Sequence, residues 1–250
     1  VNTHFANPDG FHDDNHYTTA MDMALISRYA LTFPNIRLPV SKPAASDLLV
    51  SGEAAPAWQN SNSLIKVSSS FYYPYANGLK TGFTSGAGYC LSASAMRDGM
   101  ELIAVVMGAE TSQSRNAACK SLLDYGFANF AVVSPDLSDC DNQIPVRLGK
   151  DAGVSAVPEA DMALLIDKAQ KSGVTSEVTL EPTVTAPVSR GQRLGTLTVK
   201  SGDQVLKEVP LVAAQEVERL SYGEIYRMVL MRAAMAKADA PEAAKIPEKM

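Results

Sequence analysis

Two apolar runs joined by a short polar turn constrain the fold of this chain more than any other feature. Tyr89-Cys-Leu-Ser-Ala-Ser-Ala-Met96 is built from apolar and small residues, and Leu102-Ile-Ala-Val-Val-Met-Gly-Ala109 is more apolar still. Between them lies Arg97-Asp98-Gly99, a combination that favours a tight reversal. Short apolar runs bounded by turn residues form buried strands, so residues 89–109 are expected to make a β-hairpin inside a sheet.

A further extended segment precedes this hairpin. Tyr75-Ala-Asn-Gly-Leu-Lys-Thr-Gly-Phe-Thr84 ends in Ser85-Gly-Ala-Gly88 and carries Lys80-Thr81-Gly82. On a strand, these three residues can align a substrate in three ways. The Lys ammonium places positive charge beside a nucleophile, the Thr hydroxyl meets a substrate carboxylate, and the bare Gly lets a peptide lie against the backbone. Lys-Thr-Gly is one of the short motifs of serine penicillin-binding proteins and β-lactamases. The tripeptide alone is weak evidence; the strand context gives it weight.

Other segments extend the pattern in order. They are Asn2-Thr-His-Phe-Ala-Asn-Pro-Asp-Gly10, His16-Tyr-Thr-Thr-Ala-Met-Asp-Met-Ala-Leu25, Ala87-Gly-Tyr-Cys-Leu91, Arg115 and Leu122-Leu-Asp-Tyr-Gly-Phe127. Later come Pro187-Val-Ser-Arg-Gly-Gln-Arg-Leu-Gly-Thr196 and Pro210-Leu-Val-Ala213. Together they resemble the D-alanyl-D-alanine carboxypeptidases, the low-molecular-mass penicillin-binding proteins that trim peptidoglycan stem peptides. The resemblance implies an α+β fold. Residues 1–131 would be the C-terminal portion of a β-lactamase/transpeptidase-like domain, with an antiparallel sheet and helices. Residues 132–215 would be a small all-β domain, and residues 216–250 a helical tail similar to the family's amphipathic membrane anchor.

The same resemblance implies the roles. Lys80 sits near the nucleophilic serine, and the backbone N–H of Phe83 completes the oxyanion hole. Thr81, Gly82 and Thr84 contact the substrate along the strand, and Arg115 pairs with its terminal carboxylate through a guanidinium fork. The reaction implied is acyl transfer from D-Ala-D-Ala to serine followed by hydrolysis, with β-lactam antibiotics imitating the peptidoglycan pentapeptide. No metal or organic cofactor is implied. The setting implied is extracytoplasmic, at the cell envelope, with peripheral membrane contact through the C-terminal helix.

The family's nucleophile lies in Ser-x-x-Lys, followed by Ser-x-Asn, both upstream of the segment that here begins at Thr3. The expectation is therefore a chain that starts after its nucleophile and is inert alone. Ser63-Leu-Ile-Lys66 and Ser114-Arg-Asn116 fit the two patterns. Ser63 lacks the apolar helix that should follow a buried nucleophile, and Ser114 falls after Lys-Thr-Gly, so both read as coincidences. A chain of this kind would expose a sheet edge, satisfied by the missing N-terminal portion or by self-association. The competing reading is a non-catalytic envelope scaffold. A β-lactamase is disfavoured, because such enzymes lack the C-terminal β-domain.

Composition narrows the field further. With 250 residues, 46% hydrophobic and 20% charged, the chain can bury a sizeable core. A net charge of -5 argues against a nucleic-acid partner. Cys90, Cys119 and Cys140 with His4, His12 and His16 show no zinc spacing. Cys90 reads as a small buried side chain. No apolar run is long enough to span a bilayer as a helix.

Helices are expected over 16–32, capped by Thr18 or Thr19 and stopped by Pro34 and Pro39, and over 112–130, with Gly126 near its end. Residues 43–62 read as a surface segment in which Trp58, Asn60 and Asn62 resemble the stretch leading to the Lys-Thr-Gly strand. Beyond residue 132, short alternating runs punctuated by Gly and Pro predict antiparallel strands. Residues 216–240 are helical in propensity.

Overall fold

A computed structural model of the chain describes residues 2–46, 49–50, 53–54, 57–135, 137 and 142–238. They fall into two compact units, one from residues 1–133 with 165–171, the other from 134–164 with 172–250. Cys140 and the tail beyond residue 238 lie outside the described residues, as does part of the 43–62 segment. The fold is α+β.

In the first unit, α1 (Ala20–Ala30) begins where Thr19 accepts a hydrogen bond from the backbone N–H of Asp22 at 3.0 Å. α1 ends ahead of Pro34, as expected, but a second helix that the sequence reading did not foresee follows. Pro34 opens a second short helix, α2 (Pro34–Val40), where a missing N–H costs nothing, and Pro39 lies inside its last turn. Four short strands follow: β1 (Ala44–Ala45), β2 (Leu49–Val50), β3 (Glu53–Ala54) and β4 (Trp58–Gln59). β1 pairs with β4, and β2 with β3. Ser63–Ile65 makes a single 3-10 turn.

The expected hairpin is present. β5 (Ala76–Thr84), β6 (Gly88–Arg97) and β7 (Met100–Ala109) form a three-stranded antiparallel sheet in the order β5-β6-β7. Asp98 and Gly99 both adopt positive φ, 51° and 75°, in the turn between β6 and β7. β6 is the central strand and is buried from Leu91 to Ala95, which explains its small-residue composition. Among the described residues, β5 and β7 are the two edges of this sheet.

One face of the sheet packs against α3 (Ser112–Asn129). A capping box starts the helix: Thr111 accepts from the N–H of Ser114, and Ser114 accepts from the N–H of Thr111. Its inner residues Cys119, Leu123 and Phe127 meet Leu64, Leu91, Ala93 and Ala104 in one core. Gly126 lies near the helix end, as expected, in the last turn of α3. A Cβ there would sit 2.5 Å from Leu102 Cδ1, so the glycine allows close approach to β7. β8 (Phe130–Val133) leaves the helix directly.

The second unit contains β9 (Gln143–Arg147) and β10 (Gly153–Pro158). β11 (Leu164–Asp167) departs from this series and pairs with β8. Then come β12 (Val174–Leu180), β13 (Val184–Thr185), β14 (Arg193–Ser201) and β15 (Gln204–Ala213). Six of these strands form one sheet in the order β12-β14-β15-β10-β9-β13, antiparallel except where β13 meets β9. The alternation read from sequence reappears as burial: Leu194, Leu197 and Val199 point inward with Val154, Ile144 and Val209. Each such burial stabilises by roughly 1.5–3 kcal/mol. The last helix, α4 (Tyr222–Ala238), is capped by Ser221 and Glu224.

Candidate active site

The Lys-Thr-Gly segment lies on the edge strand β5, beside a groove of about 720 Å³. Lys80, Thr81, Gly82, Phe83 and Thr84 all line it. So do His12, Asp13 and His16 from the N-terminal segment, Ile36 and Val40 from α2, and Cys90 from β6. An edge position is what a peptide-binding strand requires, since an interior strand has no free side for an extended ligand.

Local chemistry folds the N-terminal segment over the groove. His4 and Tyr17 exchange both backbone hydrogen bonds, at 2.8 and 3.0 Å. The Asp22 carboxylate accepts from Thr3 Oγ1 at 2.8 Å and from the N–H of Asn2 at 2.7 Å. These donors favour the ionised form, and the Thr3 hydroxyl does most to hold the Asp22 carboxyl below its usual range. His4 Nδ1 lies 2.7 Å from the carbonyl of Asn15.

Each residue on β5 has a distinct setting. The Lys80 side chain is exposed and its ammonium donates to the carbonyl of Thr81 at 2.7 Å. Thr81 Oγ1 lies 2.5 Å from Ser61 Oγ. Gly82 is opposite Cys90, and an added Cβ would come no closer than 3.8 Å to it. The Phe83 ring is exposed and rests on the Tyr89 ring, with centroids 4.3 Å apart. Thr84 closes the turn, its hydroxyl accepting from the N–H of Ala87 at 3.0 Å.

Arg115 stands apart from the other sequence-selected residues. It is only 5% exposed and is absent from the groove lining. Its guanidinium donates to Ser112 Oγ at 3.0 Å and Asn116 Oδ1 at 3.3 Å, and sits 5.8 Å from the Tyr89 ring centre. Among the described residues no carboxylate pairs with it. Burial lowers its pKa. The structure thus brings five of the six selected residues to one groove and leaves the sixth behind it, linked through Tyr89 and Phe83.

Sequence reading picked out Asn60 and Asn62 in the loop before β5 but gave Ser61 no role. Asn60 donates to the carbonyls of Val40 and Lys42, at 3.2 and 3.1 Å. Asn62 is fully buried, donating to the Gly78 carbonyl at 3.0 Å and accepting from the N–H of Leu64 at 3.0 Å. Ser61, held between them, faces Thr81. The available signal was the alternation Asn60-Ser-Asn62 directly before the strand, where paired amides mark a fixed loop.

The two serine patterns have other employment. Ser63 opens the 3-10 turn and lies outside the groove lining, while the Ser114 hydroxyl is engaged in the cap of α3. Cys90 departs from its expected burial: it is half-buried on the groove wall, whereas Cys119 is the fully buried thiol. Among the described residues no three His, Cys, Asp or Glu side chains come together to hold a metal ion.

Comparison with known proteins supplies an independent line. Residues 1–111 match the family described as D-alanyl-D-alanine carboxypeptidase, and residues 137–219 match the penicillin-binding protein 5 C-terminal domain. The D-alanyl-D-alanine carboxypeptidase DacF of Bacillus subtilis is 32% identical over 224 residues, covering 88% of this chain and 56% of that protein. DacC of Escherichia coli is 30% identical over 250 residues, covering 93% of this chain and 56% of its own length. The chain therefore spans just over half of these relatives. Among solved structures, penicillin binding protein 5 from Haemophilus influenzae aligns with a TM-score of 0.63 at 28% identity, covering 88% of this chain and 62% of that one. Penicillin binding protein 6B from Escherichia coli aligns with a TM-score of 0.53 at 27% identity, over 80% and 51% respectively.

Proposed function

The chain belongs to the D-alanyl-D-alanine carboxypeptidase family of penicillin-binding-protein type, and we propose that its β5 groove binds the D-Ala-D-Ala end of peptidoglycan stem peptides for serine-type acyl transfer. One observation carries this reading. Lys80, Thr81, Gly82 and Phe83 follow one another along an edge strand that lines a peptide-sized groove. A stem peptide laid against this strand meets the Thr81 hydroxyl at its carboxylate. At Gly82 no side chain blocks its backbone.

On this reading, Thr81 donates to the terminal carboxylate, and Lys80 supplies charge and proton traffic beside a serine. The backbone N–H of Phe83 gives one half of the oxyanion hole. Thr84 ends the cradle. Arg115 contributes a fixed positive charge behind Phe83 and Tyr89, and reaches the carboxylate only if its side chain turns outward. Ser63 lies outside the groove lining and Ser114 caps α3, so on this reading neither Ser-x-x-Lys nor Ser-x-Asn match supplies the serine. β-Lactams occupy the same groove.

Within this proposal, residues 1–131 are the C-terminal portion of the peptidase domain, 132–215 the β-rich domain and 216–250 a tail. The protein acts outside the cytoplasm, at the cell envelope. No helix among the described residues is long and apolar enough to cross a membrane. The exposed Tyr226, Val229 and Leu230 of α4 are its proposed peripheral contact with lipid.

The test is a titration of the chain with N-acetyl-D-alanyl-D-alanine and with its C-terminal amide, followed by NMR. Preference for the acid, lost in Thr81→Val, is the expected result. Equal binding of acid and amide would remove the basis for the proposal.

A further inference from the structure

We propose that Ser61 is a positioning residue that fixes the donor direction of the Thr81 hydroxyl. The inference rests on the carboxylate-binding role proposed above for Thr81.

The loop around Ser61 is immobilised on both sides. Asn60 is tied to the carbonyls of Val40 and Lys42, and the buried Asn62 to the carbonyl of Gly78, just ahead of the Lys-Thr-Gly residues. Between these anchors Ser61 Oγ comes within 2.5 Å of Thr81 Oγ1, where either hydroxyl could donate. A carboxylate removes that ambiguity. Being acceptor-only, it requires Thr81 to donate to it, and Thr81 has a single hydroxyl proton. Ser61 must then donate to Thr81, so the hydrogen bonds run from Ser61 to Thr81 to the ligand. A chain of this kind polarises its own members and strengthens the terminal bond. A C-terminal amide can itself donate to Thr81 and has no need of that polarity. Ser61 is therefore a discriminator between acid and amide ends, acting through Thr81 without touching the ligand.

The experiment measures acid and amide binding, as N-acetyl-D-alanyl-D-alanine and its amide, for the full chain and for Ser61→Ala and Ser61→Thr, with thermal melts of each. Ser61 is exposed, so Ser61→Ala is expected to melt like the wild type. Acid binding should weaken roughly threefold to tenfold in Ser61→Ala with amide binding unchanged, and Ser61→Thr, which keeps the hydroxyl, should restore it. Wild-type preference for acid that persists in Ser61→Ala would overturn the role of Ser61 while leaving the groove reading intact. An equal loss of acid and amide binding in Ser61→Ala would overturn it too, by showing a merely structural effect. No acid preference in the wild type would overturn both.

Discussion

Arg37 and Glu101 form a two-pronged ion pair, with Nη1 2.8 Å from Oε1 and Nη2 2.7 Å from Oε2, that ties α2 to the edge strand β7. The two residues are far apart in sequence, and α2 supplies Val40 to the groove wall, so this pair helps set the site's geometry. Asn77 donates to the same carboxylate at 3.0 Å. The Arg37 hydrogen bonds, opposed in part by burial and assisted by Asn77, hold the Glu101 carboxyl below its usual 4.5.

Glu101→Gln should lower stability by about 1 kcal/mol at pH 7, a modest figure because the pair is partly solvated. A folded-state pKa below the unfolded one gives stabilisation that is present above about pH 4.5 and lost as pH falls through the folded value. Urea denaturation at pH 7 and pH 3.5 checks this: the gap between wild type and variant should narrow in acid. An unchanged gap would show that the charge plays no part.

Asn62→Ala should be more damaging. It removes the amide's bonds to the buried N–H of Leu64 and to the carbonyl of Gly78, an expected loss of roughly 2–3 kcal/mol. Denaturant midpoints measure it directly, and a change below about half a kcal/mol would mean the loop holds without its amide.

The cysteines should separate by reactivity. Burial pushes the Cys119 thiol up to about 12, so it stays protonated at any working pH. Cys90 lies half-buried on the groove wall. Iodoacetamide labelling of the folded protein, mapped by mass spectrometry, should modify Cys90 and spare Cys119 until the chain is unfolded. Prior occupation of the groove by an acyl-D-Ala-D-Ala peptide should slow the Cys90 reaction.

Fluorescent penicillin should leave no covalent label on the isolated chain after denaturing electrophoresis. Ser63 lies off the groove and Ser114 caps α3, which leaves β5 without a nucleophile from either pattern. A labelled band would refute the reading of both serines.

Gly195→Ala should destabilise the six-stranded sheet. A Cβ at this position would lie 2.3 Å from the Thr179 carbonyl oxygen on β12, a backbone atom with little freedom to yield. The expected cost is on the order of 2–3 kcal/mol, read as a lowered melting temperature. A variant as stable as wild type would mean that β12 shifts freely.

The strands were legible in the sequence wherever a repeating local pattern produced them. The hairpin at residues 88–109 and the alternation of Leu197 and Val199 follow from burial with a period of two, while a bulge between Arg193 and Gly195 puts Leu194 out of step. α3 was readable from its 3.6-residue spacing, whereas its Thr111 cap came only with the structure. The helix that Pro34 opens was missed because proline blocks a helix interior yet suits a first turn, and only the chain's path distinguishes the two. The Lys-Thr-Gly segment revealed itself as a strand through its own residues. Its supports did not: the Ser61–Thr81 contact, the burial of Arg115 and the exposure of Cys90 depend on partners brought together across the fold. Periodicity records which face of an element meets the core. It carries no record of which distant residue will stand opposite, since that is settled only when packed elements bring their side chains within hydrogen-bond reach.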